Sequence, residues 1–328
     1  MAIPAKSTSL LWHCSARLSD YISIIDKAHS KKFIMTMKIT LPGQFRAPNL
    51  FRTVSNQLFG AAQLPDSVEF DFSKLHFVLP SGVVFLSNVT RYLRNNDCDV
   101  SYVGTDTFKE CIKFLDDSQF FLQHSGQLLL AHSRPRKTTM PLMEISNNQA
   151  LLWVENSLVP WLSNSADIPV RDLAELGTCI KELFNNISDH TDSDLGSIFA
   201  QWFPNERTIR ISLADLGPGI PSTARRVVPD MSDALAIKRA FEDGFTAKSH
   251  PNNQGVGLHY LKQNVVFNLN GRLEVHSGNG QVKIEKAGNE LNFMLTDGKG
   301  FCPGTLLDIV FQTDLIERSP QEPEVFEW

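Results

Sequence analysis

Apolar positions along the chain fall into two blocks of differing period. In the first, Phe33 to Ile39 and Ser67 to Phe72 (SVEFDF) read as strands, and Asp99 to Val103 as a third. Between them, Ser81 to Leu93 places Val84, Phe85, Val89 and Leu93 near helical spacing, and residues 106–116 predict a helix with Phe108, Ile112 and Phe114 or Leu115 inward. Strands alternating with helices favour a sheet covered by helices. In the second block, Asn147 to Leu162 carries Leu151, Leu152, Val154, Leu158 and Trp161 as a helical apolar set, and Asp172 to His190 is a longer helix. Thr208 to Ala214 (TIRISLA) alternates as a strand. Ser232 to Asp243 is a helix that Gly244 is placed to end, and Leu258 to Leu269 another, before strands at Arg272 to His276 and Leu306 to Phe311. Residues 131–141 (AHSRPRKTTMP), polar, basic and broken by Pro135 and Pro141, predict a linker. The reading is therefore a domain over 1–130, a linker over 131–141, a domain over 142–315 and an acidic tail over 316–328.

Composition narrows the class. The 328 residues are 42% hydrophobic and 20% charged, enough apolar material for ordinary cores. The net charge of -5 gives no argument for nucleic acid or an anionic membrane, and Arg134-Pro-Arg136-Lys137 reads as solvated loop. No apolar run is long enough to span a bilayer, and the opening MAIPAKSTSLLWHC lacks a secretory core and cleavage site. The cysteines, Cys14, Cys98, Cys111, Cys179 and Cys302, are odd in number and without a CxxC pair, which fits reduced thiols in a cytoplasmic protein.

Three short segments carry candidate chemistry. Glu182, Asn186 and His190 are spaced by four and stack on one helical face, with Leu183, Phe184 and Ile187 free to face the core. Glu182 can serve as a general base and Asn186 as an oxygen ligand to Mg²⁺; a solvated helix face is the alternative. Asp215-Leu-Gly217-Pro-Gly219 follows a strand, where an Asp can accept from an exocyclic amine and glycines admit a ligand; the alternative is a tight turn. Gly255-Val256-Gly257-Leu258 opens a helix whose N–H groups can cradle phosphate; the alternative is a flexible loop.

In this order the three segments resemble the N, G1 and G2 boxes of the GHKL superfamily of gyrase-type, chaperone, mismatch-repair and histidine-kinase ATPases, over about residues 145–312. Gly271 to Ser277 resembles the strand after the G2 helix, and Gly304-Thr305 the Gly-Thr before the last strand. The resemblance implies an α/β sandwich, a mixed sheet with helices on one face, that binds ATP with Mg²⁺. It implies that Asn186 coordinates the metal, Glu182 orients or deprotonates the attacking water or hydroxyl, Asp215 takes the adenine amine, and Gly217 and Gly219 make room for the nucleotide. It further implies that Gly255, Val256, Gly257 and Leu258 wrap the phosphates, with His190 on the same stripe as Asn186. Phe245 to Gln254 would be a short lid, with Thr246 and Lys248 as phosphate contacts. The chain departs from the family at Ile187, where Ala is common, and between Gly280 and Gly304, where Val282–Ile284 and Leu291–Leu295 suggest an added hairpin. Neither a lysine-delivering second domain nor a phosphoacceptor helix pair is apparent, which disfavours a sensor histidine kinase.

Upstream, a strand ending at Asp71 and a helix opened by Ser81-Gly82 resemble the smaller α/β STAS fold of anti-sigma-factor antagonists, with Leu79-Pro80 in place of the usual Asp. The resemblance implies Ser81 as a phosphoacceptor; the alternative is a helix N-cap. The expected function is a regulatory protein that hydrolyses ATP or phosphorylates a protein serine or threonine in partner-switching signalling, with a protein partner and a possible homodimer. The alternative is an ATP-dependent conformational switch with little turnover.

Overall fold

Parallel strands need a crossover between them, and the N-terminal unit is built from such crossovers. The computed structural model describes residues 35–59, 63–190, 195–245, 256–316 and 318. Strand β1 (Thr36–Thr40) leads to the short β2 (Gln44–Phe45) and helix α1, which runs through Ala47–Leu50, Phe51–Ser55 and Asn56–Leu58. Then come β3 (Ser67–Asp71), β4 (Phe77–Val78), α2 (Pro80–Asn95), β5 (Asp99–Val103), α3 (Glu110–Asp117) and α4 (Phe120–Ser125). Strands β1, β3 and β5 pair in parallel in that order, and β2 pairs with β4 apart from them. The expected helix-covered sheet is present; Phe33 and Ile34 lie outside the described residues. Phe108, expected inward, is 90% exposed, because the helix starts only at Glu110.

The second sheet comprises β6 (Thr139–Ser146), β7 (Leu195–Phe203), β8 (Thr208–Ala214), β9 (Arg272–Ala287) and β10 (Glu290–Gln312). Their order is β6-β7-β8-β10-β9. The mixed sheet expected from the sequence is antiparallel at every pairing. The reason is that β10 returns from a hairpin and fills the gap between β8 and β9, which run in the same direction. The added hairpin is the far end of these two strands, with Val282 opposite Leu295 and Ile284 opposite Phe293. Helices α5 (Asn147–Trp153, Val154–Leu158 and Val159–Ala166), α6 (Val170–His190), α7 (Gly219–Ala224), α8 (Asp233–Ala240) and α9 (Val256–Lys262, continued by Gln263–Asn268) complete the unit. Ser232 caps α8 by accepting the Leu235 N–H at 3.3 Å. Leu151 and Leu152, expected in the core, are exposed; the buried stripe of α5 is Ala150, Val154, Leu158 and Leu162.

Alternation along the strands divides the sheet into two faces. Ile209, Ile211 and Leu213 of β8 meet α5, α6, α8 and α9 in one core. The opposite face, with Phe199, Ala214 and Leu306, joins the core of the N-terminal unit. The element between is α2, which packs on β7, β8 and β10. It is buried on both sides, at Phe85 and Leu86 and also at Ser81, Ser87, Asn88 and Thr90. The two units therefore share α2 as a common layer.

The segment expected as a linker is held down. The buried Asp116 carboxylate accepts the Leu129 and Leu130 N–H groups at 2.9 Å and the Ser133 hydroxyl at 2.5 Å. Arg136 pairs with Asp117 at 2.8 Å, and Trp161 Nε1 donates to Lys137 O at 3.1 Å. Strand β6 begins inside the segment, at Thr139, and Pro141 is accommodated because β6 is an edge strand with a register shift between Met140 and Met143.

Candidate functional site

Helix α6 turns its apolar residues Leu183, Phe184 and Ile187 into the core, which leaves Asn186 half-buried at the edge of a cavity. The branched Ile187 is accommodated by Gly196 of β7: a Cβ there would lie 2.8 Å from Ile187 Cδ1 and 2.9 Å from Phe184 Cε1. Asp215 leaves the end of β8. Its N–H donates to Thr305 O at 3.0 Å, and its Oδ1 accepts the Gly217 N–H at 2.6 Å. Burial pushes its carboxyl up from 3.8 to about 6, against the opposing pull of the Gly217 and Thr305 hydrogen bonds and the Arg91 charge. Gly219 opens α7, and the next residue, Ile220, donates its N–H to Ser277 Oγ at 3.0 Å; the Ser277 hydroxyl in turn donates to Gly304 O at 2.7 Å. Gly257 brings α9 against α6 so closely that a Cβ there would lie 3.1 Å from Asn186 Nδ2.

These elements enclose a cavity of about 160 Å³. Its walls are mainly apolar, with Leu183 and Ile187, Leu213, Ile220, Leu258 and, on the sheet, Val275 and Leu307. Asp215 and Thr305 supply polar groups, and Asn186 and Gly257 stand on one wall. The arrangement suits a flat heterocycle whose amine meets a buried carboxylate. Its volume falls below the roughly 300 Å³ at the low end of drug-sized ligand sites.

The structure unites five of the residues singled out in the sequence, Asn186, Asp215, Gly219, Gly257 and Leu258, on this cavity. Gly217 acts one step back, by bonding Asp215. Glu182 does not line the cavity; its side chain is exposed, and its Oε1 accepts from Asn185 Nδ2 at 3.3 Å. Thr246, Lys248 and Gly255 lie outside the described residues, as do the side chains of His190, which closes α6, and Val256, which opens α9. Among the described residues no cluster of three His, Cys, Asp or Glu side chains is placed to hold a metal. The Asn186 amide oxygen is a hard donor suited to one Mg²⁺ position, with the remaining ligands coming from phosphate and water.

Ser81 requires correction as a phosphoacceptor. It is 3% exposed, its Oγ accepts the Ala47 N–H at 3.5 Å and it hydrogen-bonds Asp308, so no kinase reaches it in this conformation. Nor is it the N-cap of α2, a position held by Leu79. Two side chains of α2 that reach the second sheet and the Asp215 loop escaped the sequence reading. Asn88 donates its Nδ2–H to Asp215 O, and Arg91 donates to Ser197 Oγ at 3.1 Å. Their only signal was polarity in a helix that alternates apolar and polar residues.

A family model described as histidine kinase-, DNA gyrase B- and HSP90-like ATPase matches residues 171–308, from the first turn of α6 into β10. Every residue lining the cavity lies in this span, which is similar to GHKL-type ATPase domains. A search of curated proteins found no match. No helix of the described residues is long and apolar enough to cross a membrane.

Proposed function

We propose that the chain is an Mg-ATP-dependent regulatory protein that hydrolyses ATP or transfers its γ-phosphoryl group to a serine or threonine of a protein partner. The observation that carries this reading is the convergence of Asn186, Asp215, Gly219, Gly257 and Leu258, from three separate sequence segments, on one apolar cavity with a carboxylate inside it. In this reading the ionised Asp215 accepts the adenine amine, and Asn186 offers its amide oxygen to Mg²⁺. The first N–H groups of α9 face the phosphates. Bound Mg²⁺ supplies neutralisation of phosphate charge. Glu182 orients the attacking hydroxyl and accepts its proton.

The test compares ATP binding and phosphate release by the full chain and Glu182→Gln. Binding by both, with turnover lowered roughly 10²–10⁴-fold in the variant, supports the enzyme. Absence of ATP binding by the wild type sinks it.

A second reading is favoured by one observation, the exposed Glu182 engaged with Asn185 outside the cavity. There the protein is an ATP-dependent conformational switch with little turnover, and Glu182→Gln leaves the slow basal rate unchanged. The STAS-like reading of the N-terminal unit, with a role in partner switching, is supported by its parallel strand–helix alternation and by Asp71 at the end of β3. Ser81 is then not the phosphoacceptor.

A further inference from the structure

The loop that carries Asp215 has the cavity on one side and the N-terminal unit on the other. Asp215 is held at three points. Two belong to the ATPase domain: the bond from its N–H to Thr305 O and the bond from Gly217 N–H to its Oδ1. The third comes from α2, where Asn88 Nδ2 donates to the Asp215 carbonyl oxygen. Asn88 is 2% exposed, and its Oδ1 has no partner among the described residues. This amide is thus buried with a single bond to make, and that bond orients the peptide linking Asp215 to Leu216.

Neighbouring contacts close the same loop. Gly304 has φ 72°, and a Cβ on it would collide with the Asp215 carbonyl, so Asn88 and Gly304 confine that oxygen together. Helix α1 holds the stretch of β10 leading to Gly304: Ser55 Oγ donates to Phe301 O at 2.5 Å, and the Phe59 and Phe301 rings lie 5.0 Å apart. Arg91, one turn beyond Asn88, sits 3.5 Å from Glu144 on β6 and directs positive charge at Asp215.

We propose that Asn88 is a positioning residue for base recognition, through which the N-terminal unit sets the affinity of the ATPase domain for adenine. The proposal rests on the reading of the cavity as an adenine site. Without the Asn88 donor, the Asp215 carbonyl is orphaned in a dry environment and the peptide turns to find a partner, carrying the carboxylate away from the amine it is meant to meet. By reciprocity of binding free energies, adenine held by Asp215 stabilises α2 in its docked position.

The experiment titrates ATP and ITP into the full chain as wild type, Asn88→Leu and Thr90→Val. Inosine carries a carbonyl in place of the exocyclic amine, so ITP offers Asp215 no amine to accept from. Thr90 is the control. It is fully buried on the same helix, and its Oγ1 shares a 3.1 Å hydrogen bond with the Tyr102 hydroxyl on the side facing β5. Wild type is expected to prefer ATP. Asn88→Leu weakens ATP about tenfold, the scale of one lost buried hydrogen bond, and leaves ITP unchanged, while Thr90→Val keeps the wild-type preference. An Asn88→Leu protein that retains the preference, or that loses ATP and ITP alike, overturns the positioning role while the adenine site stands. A wild type that binds neither triphosphate overturns both. Should Asn88→Leu fail to fold, hydrogen exchange on the wild type decides: saturating ATP is expected to slow exchange in residues 80–95 as well as 215–219, and unchanged exchange in 80–95 overturns the coupling.

Discussion

Asp215 meets two opposing demands. A base-binding acceptor works best when ionised, yet the dry wall that strengthens its bond to an amine also disfavours its charge. Burial therefore raises its carboxyl from 3.8 to about 6, even with the Gly217 and Thr305 hydrogen bonds and the Arg91 charge pulling it down. The raised value gives the sign of a pH effect. Above about 6 the carboxylate is ionised and ready to accept; below it, an adenine-binding protein must first lose a proton. ATP affinity is expected to be level above neutrality and to fall by up to about tenfold per pH unit below 6, whereas ITP affinity stays flat. Isothermal titration between pH 5 and 8 reads this directly, and parallel curves for the two nucleotides would refute it. At this scale the sequence was most informative where a residue had one physical job. Asn186, Asp215, Gly219, Gly257 and Leu258, which line one cavity, were legible because their three segments in order resemble the N, G1 and G2 boxes; spacing and glycines alone left a solvated face, a tight turn and a flexible loop open. Asn88 was not, because one more polar residue in a helix that already carries Ser87, Thr90 and Arg91 reads as ordinary until the surface opposite it is known.

At the scale of elements, α6 and β7 form a matched pair. The Ile187 side chain, where the resemblance leads one to expect alanine, occupies the space that a side chain on Gly196 would need. Gly196→Ala would push on Ile187 and Phe184, and through α6 on Asn186; overpacking of this kind costs about 1–3 kcal/mol. Ile187→Ala alone opens a void. Combined, the two changes compensate, with a coupling of about 0.5–3 kcal/mol in a double-mutant cycle followed by urea unfolding, and ATP binding recovers with stability. Strict additivity would show that the two positions do not share space. Strands whose residue types alternate along the chain, such as Thr208–Ala214 (TIRISLA) and Asp99–Val103, were read from the sequence with their observed bounds. Strand β7 was missed: its Gly196 to Ala200 stretch is buried on both faces, so the alternation that marks a strand disappears. The first three residues of β6, Thr139 to Pro141, were read as linker because proline normally ends a strand, and its place at the sheet edge permits it here. Helix α1 was missed because Pro48 stands in its first turn and polar residues interrupt its short apolar set.

The whole molecule departs furthest from the two separate domains suggested by length and by the polar stretch at 131–141. That inference treats each domain as burying its own core, and a one-dimensional pattern does not show that a helix is apolar on two sides for two different sheets. Helix α2 is that helix. One side closes over the parallel sheet, and the other covers Phe199, Ala214 and Leu306 of the antiparallel sheet. Detaching residues 1–130 would expose those side chains, strip the Asp215 carbonyl of its Asn88 donor and leave Arg91's partners Ser197 and Glu144 facing water. The intact chain is accordingly expected to unfold in a single calorimetric transition whose van't Hoff and calorimetric enthalpies agree, as a shared core requires. Asn88→Leu should lower that transition without splitting it, and saturating ATP should raise it as one unit. A fragment spanning 131–328 is expected to aggregate or to bind ATP at least about tenfold more weakly than the whole chain. Two resolved transitions, with ATP moving only one of them, would show instead that the units fold independently and that α2 contributes no more than shape to the sheet it covers.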